Sequence, residues 1–413
     1  MKSHGIYRHA CPNCIGEEDD GRLLIGIPCK KCLPRELNYR PSIEELYREL
    51  RKLGTLKHFK EIYQLNKGLN EIDKLFNKAT GSRLWSVQKT WAKRVLKGKS
   101  FTIIAPTGVG KTVFGITMSL YIANKGKKAY IIEPTTPLVT QVYERITEFS
   151  SKAKLNVKIV AYHARLKVKE KKEALEKIIN GDFDILITTS AFLSKRYDYL
   201  KEIKFDFIFV DDVDAILKSS RNIDRVLVLL GFNEDEVADA YELVKIKNRI
   251  ARLMRFNRES PELKELFGKF EELNNKIDKV RGRVKSVLVV SSATGRPRGL
   301  RVRLFRELLG FDVGSRSELL RNVIDTYYIP SFDENIEDIV IKLVSKLGYG
   351  GLIFVPIDRG IEYAKILAEK LVNNGIKAEV FSSENIKALD RFIEEENEVL
   401  VGVAFYYGVM VRG

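Results

Sequence analysis

Nowhere in its 413 residues does this sequence run for about eighteen consecutive apolar residues, the length a membrane-crossing helix needs. No membrane span is therefore expected. The start, Met1-Lys-Ser-His-Gly5, lacks the apolar core of a secretory signal, and a cytoplasmic location is expected. Cysteine is absent after residue 32, so no disulfide framework holds the bulk of the chain. Negative charge is in deficit, with 55 Asp and Glu against 71 Lys and Arg and a formal net charge of +16. That excess suits a polyanionic partner, nucleic acid first. Scarce cysteine and methionine beside abundant Lys, Glu and Arg equally suit a thermophile surface, and both readings can hold. With 45% hydrophobic residues, the chain can bury the cores of two or three domains.

What is present is a phosphate loop. Phe101-Thr-Ile-Ile-Ala105 reads as a buried parallel strand, and Val113 to Ala123 reads as a helix. Between them lies Ala105-Pro106-Thr107-Gly108-Val109-Gly110-Lys111-Thr112. Strand, glycine-rich loop, Lys-Thr and helix form the context in which backbone N–H groups cradle phosphate. Lys111 can reach the β- and γ-phosphates, and the Thr112 hydroxyl can ligate Mg²⁺. Ala105 stands where the general pattern has glycine, which points to the helicase-like branch of such proteins.

Further along, the apolar run Phe205-Asp-Phe-Ile-Phe-Val210 ends in Asp211-Asp212-Val213-Asp214. Acids at the carboxyl end of a strand sit where a parallel sheet places ligand chemistry. Asp211 would hold Mg²⁺ through water, and Asp212 would orient or deprotonate the attacking water. Upstream, Gln88 in Arg83-Leu-Trp-Ser-Val-Gln88 offers an amide that can read adenine, and Phe76 is a candidate stacking ring.

All four cysteines form two knuckles, Cys11-Pro-Asn-Cys14 and Cys29-Lys-Lys-Cys32. The spacing suits one tetrahedral Zn²⁺ in a closed Cys₄ site, with a disulfide reading as the alternative. Arg22 to Pro28 between them is expected to supply short ribbon strands. Arg8, Lys30, Lys31 and Arg35 could touch phosphates or simply form a solvated face.

Pro41 to Asn77 reads as helices, with Ser42 and Glu45 as a capping box and Leu46, Leu50 and Leu53 at helical spacing. Strands are expected at Ala129–Glu133, Asp184–Ser190 and Ser286–Val290. Pro134, Thr135, Thr188 and Thr189 at strand ends suit contacts to a nucleic-acid backbone. The stretch from Asp214 to Ser292 is longer than a bare α/β unit needs. An Asn233–Glu236 capping box and a Ser260-Pro261 helix start make it a helical insertion, about 215–285, folded as a hairpin. Beyond a linker at 316–330, a second βα series runs through Gly351–Val355, Lys377–Phe381 and Val399–Val403, with no second phosphate loop.

The order of these motifs resembles superfamily 2 helicases. Its details resemble one family within it, the reverse gyrases: the Cys₄ ribbon, Asp-Asp-Val-Asp at 211–214, Val213-Asp-Ala-Ile-Leu-Lys-Ser-Ser-Arg-Asn222, and Ser292-Ala293-Thr294-Gly-Arg-Pro297. The resemblance implies tandem RecA-like α/β domains that bind ATP with Mg²⁺ and a zinc ribbon. It implies an ATP-dependent module of an enzyme that introduces positive supercoils into DNA, paired with a topoisomerase module in cis or as a separate subunit. Ser292, Ala293 and Thr294 would couple the nucleotide site to domain closure. The expected layout is a ribbon at 1–40, helices at 41–82, a first domain at 83–315 and an incomplete second domain at 331–413. The chain stops at Val409-Met-Val-Arg-Gly413, which looks like the start of the fifth helicase motif, so weak hydrolysis is expected of the chain alone. Another superfamily 2 helicase, on DNA or RNA, and a non-enzymatic nucleotide-gated DNA-binding subunit are the alternatives. A zinc-ribbon transcription factor is disfavoured by the complete phosphate loop.

Overall fold

The structure, a computed structural model, describes residues 5–403 apart from 107, 218, 220, 257–259, 293–298, 312, 314–327, 329, 332, 357, 383–384, 386 and 395. The chain divides into two compact units, Met1–Glu133 with Val142–Ser317 and Pro134–Gln141 with Glu318–Gly413.

At the start, β1 (Ile6–Tyr7) pairs antiparallel with β2 (Glu18–Asp19). The segment expected to give ribbon strands, Arg22–Pro28, instead begins inside a helix, α1 (Asp20–Ile25). The Asp19 carboxylate caps it by accepting the Arg22 N–H at 2.9 Å, and Gly26 ends it in the left-handed conformation at φ 73°. The Arg22 guanidinium is buried and donates to the carbonyls of Pro28 at 2.7 Å and Leu33 at 2.6 Å. A strand aiming Arg22 at solvent would leave those buried acceptors unpaired.

Next come α2 (Ile43–Lys52), α3 (Phe59–Thr80) and α4 (Ser86–Leu96). The Glu45 N–H donates to Ser42 Oγ at 3.1 Å, while the Glu45 carboxylate is taken by the Tyr39 hydroxyl. The periodic Leu46 and Leu50 are buried, but Leu53 lies past the helix end and is exposed. Leu46, Leu50 and Phe59 share one apolar cluster with Cys11, Ile27, Cys29, Cys32 and Leu33, so the ribbon is packed onto these helices. Asn13 reinforces the contact, donating to Thr55 O at 2.7 Å and accepting from Lys57 N at 2.8 Å.

The main sheet is built from β3 (Phe101–Ile104), α5 (Lys111–Ala123), β4 (Ala129–Glu133), α6 (Thr136–Ala153), β5 (Ile159–Tyr162), α7 (Val168–Ile179), β6 (Ile185–Thr189), α8 (Ser190–Lys195), β7 (Phe207–Val210) and β8 (Val287–Ser292). Its six strands run parallel in the order β3-β8-β7-β4-β6-β5. Every residue of β4, β7 and β8 is buried, which explains their unbroken apolar runs: helices cover both faces. Gly115 on α5 allows that helix close to the sheet, since a Cβ there would lie 2.5 Å from the Phe209 ring.

Between β7 and β8 come α9 (Val213–Leu217), α10 (Arg221–Leu229), α11 (Glu234–Phe256) and α12 (Glu262–Val280). The Asn233–Glu236 box is reciprocal, at 2.9 and 2.7 Å. The helices α11 and α12 pack together, tied by the Arg249–Glu262 ion pair at 2.8 Å.

The second unit contains α13 (Ile336–Leu347), β9 (Gly351–Val355), α14 (Gly360–Asn373), β10 (Ala378–Phe381), α15 (Lys387–Ile393) and β11 (Val399–Val403). Its parallel sheet has the order β10-β11-β9, with Ala364, Leu367 and Leu371 of α14 in the core. Of the expected linker at 316–330, only Tyr328 and Pro330 are described, and 404–413 lies outside the described residues. Among the described residues, no helix is long and apolar enough to cross a membrane.

Candidate nucleotide site and metal centre

Strand register gathers the candidate residues at the carboxyl end of the main sheet. Val210 pairs with Val290 and with Ile132, and the Asp211 N–H continues the ladder to Ile132 O at 3.0 Å. Ser291, Asp211 and Glu133 therefore stand side by side, projecting from one face of three neighbouring strands.

The loop before α5 supplies the cation. Gly110 caps α5 at φ 81°, a left-handed conformation that favours glycine, and a Cβ there would approach Gln88 Nε2 to 2.7 Å and force that amide to shift. Gly108 is also left-handed, at φ 85°. Ala105 is buried, Pro106 and Val109 are half-buried, and Thr107 lies outside the described residues. Lys111 Nζ donates to the carbonyls of Ala105 at 2.7 Å and Pro106 at 2.8 Å. Burial holds its ammonium below the usual lysine range, against the opposing pull of Asp211 and Asp212.

The Thr112 hydroxyl donates to the Asp211 carboxylate. Burial raises the Asp211 carboxyl above its ordinary range, while hydrogen bonds from Ser291 and Thr112 and the Lys111 charge pull it down. Asp212 adopts φ 79°, a left-handed conformation that costs a non-glycine residue about 1–3 kcal/mol and is typical of functional turns. Thr112 and Asp211 offer Mg²⁺ the hydroxyl and carboxylate oxygens that a hard cation selects.

Ser291 is a residue the sequence reading passed over. Its Oγ donates to Asp211 Oδ1 at 2.6 Å and accepts the Asp212 N–H at 3.2 Å. Ser292, named for coupling, is buried at the end of β8, and Ala293 and Thr294 lie outside the described residues. Which serine meets the acids depends on strand register, which composition does not reveal.

Gln88 is buried, and its Oε1 accepts the Trp85 N–H at 3.0 Å. Half of its amide thus caps α4 while Nε2 lies against the loop. Phe76 is buried in the helical layer, so the structure does not present it as a stacking ring; Trp85 is the exposed ring beside Gln88, at 59%. Pro134 and Thr135 are half-buried at the end of β4. Thr188 requires a correction. Its side chain is fully buried, with its hydroxyl 2.7 Å from Tyr130 Oη, so it faces the core and not a nucleic-acid backbone. Thr189 is half-buried, and its hydroxyl caps α8 by accepting the Phe192 N–H at 3.3 Å.

Glu133 was also missed. It is 0% exposed, and among the described residues neither carboxylate oxygen has a hydrogen-bond partner. Burial drives its carboxyl far above the ordinary range, and the charges of Asp211 and Asp212 push in the same direction.

The four cysteines are free thiols, not disulfides. Their sulfur atoms all lie within 4.8 Å of one another, with Cys14 and Cys29 Sγ 3.6 Å apart. Tetrahedral Zn–S bonds of about 2.3 Å set neighbouring sulfurs about 3.8 Å apart, so Cys11, Cys14, Cys29 and Cys32 fit Zn²⁺. Burial would raise the Cys14 thiol, but the Gly16 backbone and its three cysteine neighbours bring it down to about 7.

A parallel sheet with a phosphate loop, an acid pair facing it and a docked Cys₄ cluster define a helicase-type nucleotide-binding protein with a zinc-binding domain. Residues 85–234 match the DEAD/DEAH box helicase family, and residues 2–49 match the reverse gyrase zinc finger. The chain is 50% identical to reverse gyrase of Pyrococcus horikoshii over 99% of its own length and 25% of that protein. It is 50% identical to reverse gyrase of Pyrococcus furiosus, over 99% of the chain and 34% of that protein. Reverse gyrase of Methanocaldococcus jannaschii is 45% identical, over 99% of the chain and 24% of that protein. The chain belongs to the reverse gyrase family and corresponds to its N-terminal, helicase-like part. It spans about a quarter to a third of the length of these relatives. Its fold is shared with S. cerevisiae Dbp5 bound to RNA and ADP BeF3, at a TM-score of 0.51 and 14% identity, covering 82% of this chain and 76% of that one.

Proposed function

We propose that this chain is a nucleotide-driven DNA-binding module that, in a complete reverse gyrase, couples ATP to positive supercoiling by a topoisomerase module. The observation that carries this reading is the contact between the Thr112 hydroxyl and the Asp211 carboxylate, 99 residues apart, with Lys111 acting on the same acid. These are the groups that phosphoryl-transfer sites place around a magnesium nucleotide. Residues 105–112 cradle the phosphates, and Lys111 exchanges its loop carbonyls for phosphate oxygens. The Gln88 amide reads adenine. Thr112 and Asp211 would hold Mg²⁺, which would supply positive charge against that of the phosphates. Asp212 orients the attacking water. Ser292, Ala293 and Thr294 carry the nucleotide state onward, and Pro134, Thr135 and Thr189 meet the DNA backbone. The proposed layout keeps a zinc ribbon at 1–40, helices at 41–82, a first domain at 83–315 with its helical insertion, a linker at 316–330 and a second domain from 331.

A nucleotide-gated clamp with slow turnover is favoured for the chain by itself. Arg359 lies over the Tyr363 ring, 4.8 Å from its centroid, and Arg391 is held by Glu379, so both are engaged within the second unit. Phosphoryl transfer needs cations at the γ-phosphate, worth about 10³–10⁵ in rate. The test is DNA-stimulated ATP hydrolysis by this chain against a longer chain carrying the next helicase motif. Slow turnover here and fast turnover there are expected; equal turnover contradicts the clamp reading.

A further inference from the structure

We propose that Glu133 is a third carboxyl of the magnesium–nucleotide site, accepting hydrogen bonds from the water shell of a cation held at Thr112 and Asp211. The proposal rests on the nucleotide reading above and deepens it.

Three observations carry it. Glu133 ends β4 in register with Asp211 on the adjoining strand, on the same face of the sheet. It is wholly buried, and among the described residues neither of its oxygens has a hydrogen-bond partner. The rest of β4 is Ala129-Tyr-Ile-Ile132, so nothing in the strand's packing calls for an acid at its end. A buried polar group without a partner destabilises a fold, and such groups persist where another role retains them. An apolar side chain of similar size would avoid that cost.

The chemistry selects the occupant. Mg²⁺ holds near-ideal octahedral geometry and usually keeps several waters. Thr112 and Asp211 are two protein groups for such an ion, so phosphate oxygens and water would make up the rest of its shell. Each bound water is a polarised donor that needs an acceptor. A bound cation favours the charged form of Glu133, whose two oxygens, one strand away from Asp211, then accept those hydrogen bonds. Outer-shell partners of this kind set how tightly the ion is held.

The test measures the affinity of the full, zinc-loaded chain for the non-hydrolysable analogue AMP-PNP by calorimetry, with Mg²⁺ added and with Mg²⁺ omitted. Wild type, Glu133→Gln, Glu133→Val and Lys111→Ala are compared, and each is unfolded thermally without nucleotide. In Glu133→Val, the gain in affinity from Mg²⁺ is expected to shrink about tenfold while affinity without Mg²⁺ is kept. Glu133→Gln should retain part of the gain. Glu133→Val should also melt at a higher temperature than wild type. An undiminished Mg²⁺ gain in both Glu133 variants overturns the proposal, as does a Val variant that melts earlier. If wild type and Lys111→Ala bind AMP-PNP equally, the nucleotide reading itself fails, and this proposal fails with it.

Discussion

Ser291 Oγ donates to Asp211 Oδ1 at 2.6 Å and takes the Asp212 N–H at 3.2 Å. One hydroxyl on β8 thus fixes both acids at the end of β7. It turns the Asp211 carboxylate toward Thr112 and stabilises the left-handed turn at Asp212.

Ser291→Ala removes that hydroxyl and leaves a buried acid with one donor fewer. The expected loss is about 1–3 kcal/mol of stability, read from urea unfolding followed in the first unit. Nucleotide affinity in the presence of Mg²⁺ should fall as well, because Asp211 is no longer aimed. Unchanged unfolding midpoint and Mg²⁺ dependence would remove Ser291 from the site.

Purified chain should carry about one zinc, and a chelator should unfold the first forty residues. The ribbon's apolar cluster is small and is built partly from the cysteines themselves, so metal bonds provide much of its folding energy. The main sheet has its own core and should persist. A folded ribbon containing no zinc would contradict this.

Arg22→Leu should make zinc leave faster without altering any cysteine. The buried guanidinium feeds the carbonyls of Pro28 and Leu33, next to Cys29 and Cys32. Leaving those acceptors unpaired costs about 1–3 kcal/mol each. Zinc release to a colorimetric chelator reads the effect; wild-type release kinetics would show that α1 is not held by this residue.

Acid should weaken the second unit through Glu379. Hydrogen bonds from Arg391 hold its carboxyl below the usual glutamate range, with Asn385 and Asn397 adding to the pull. A carboxylate depressed in the fold binds fewer protons there than in the unfolded chain. Its contribution is therefore complete above pH 4.5 and is lost as pH falls through the folded value. Thermal unfolding between pH 7 and pH 3 should show a drop that Glu379→Gln flattens. An equally steep drop in the variant would assign the acid sensitivity elsewhere.

Residue type at strand ends made much of the site legible. The loop at 105–112 and the acids at 211–212 need particular side chains, and each follows a short apolar run that forms a parallel strand, half-buried at the sheet edge in β3 and wholly buried in β7. The α11–α12 hairpin was legible from the Asn233–Glu236 box and its helical spacing. What escaped depends on contacts across the chain. Ser291 and Glu133 matter because of the strands beside them, and a local pattern carries no register. The ribbon's α1 was missed because Arg22 reads as a surface charge until the carbonyls of Pro28 and Leu33 fold over it. Thr188 had the residue type of a backbone contact, but alternation along β6 turned it inward to Tyr130.

The most direct test of the central claim is calorimetric titration of Mg²⁺ and AMP-PNP into the chain and into Lys111→Ala. Lys111 makes its two hydrogen bonds, at 2.7 and 2.8 Å, to carbonyls of its own loop and not to the core of the sheet, so the variant should keep the wild-type circular dichroism spectrum, and thermal unfolding reads any stability lost with those bonds. Binding at one site is expected in wild type, weakened at least about tenfold in the variant by loss of a charge-assisted phosphate contact. Equal affinity in the two folded proteins would contradict it.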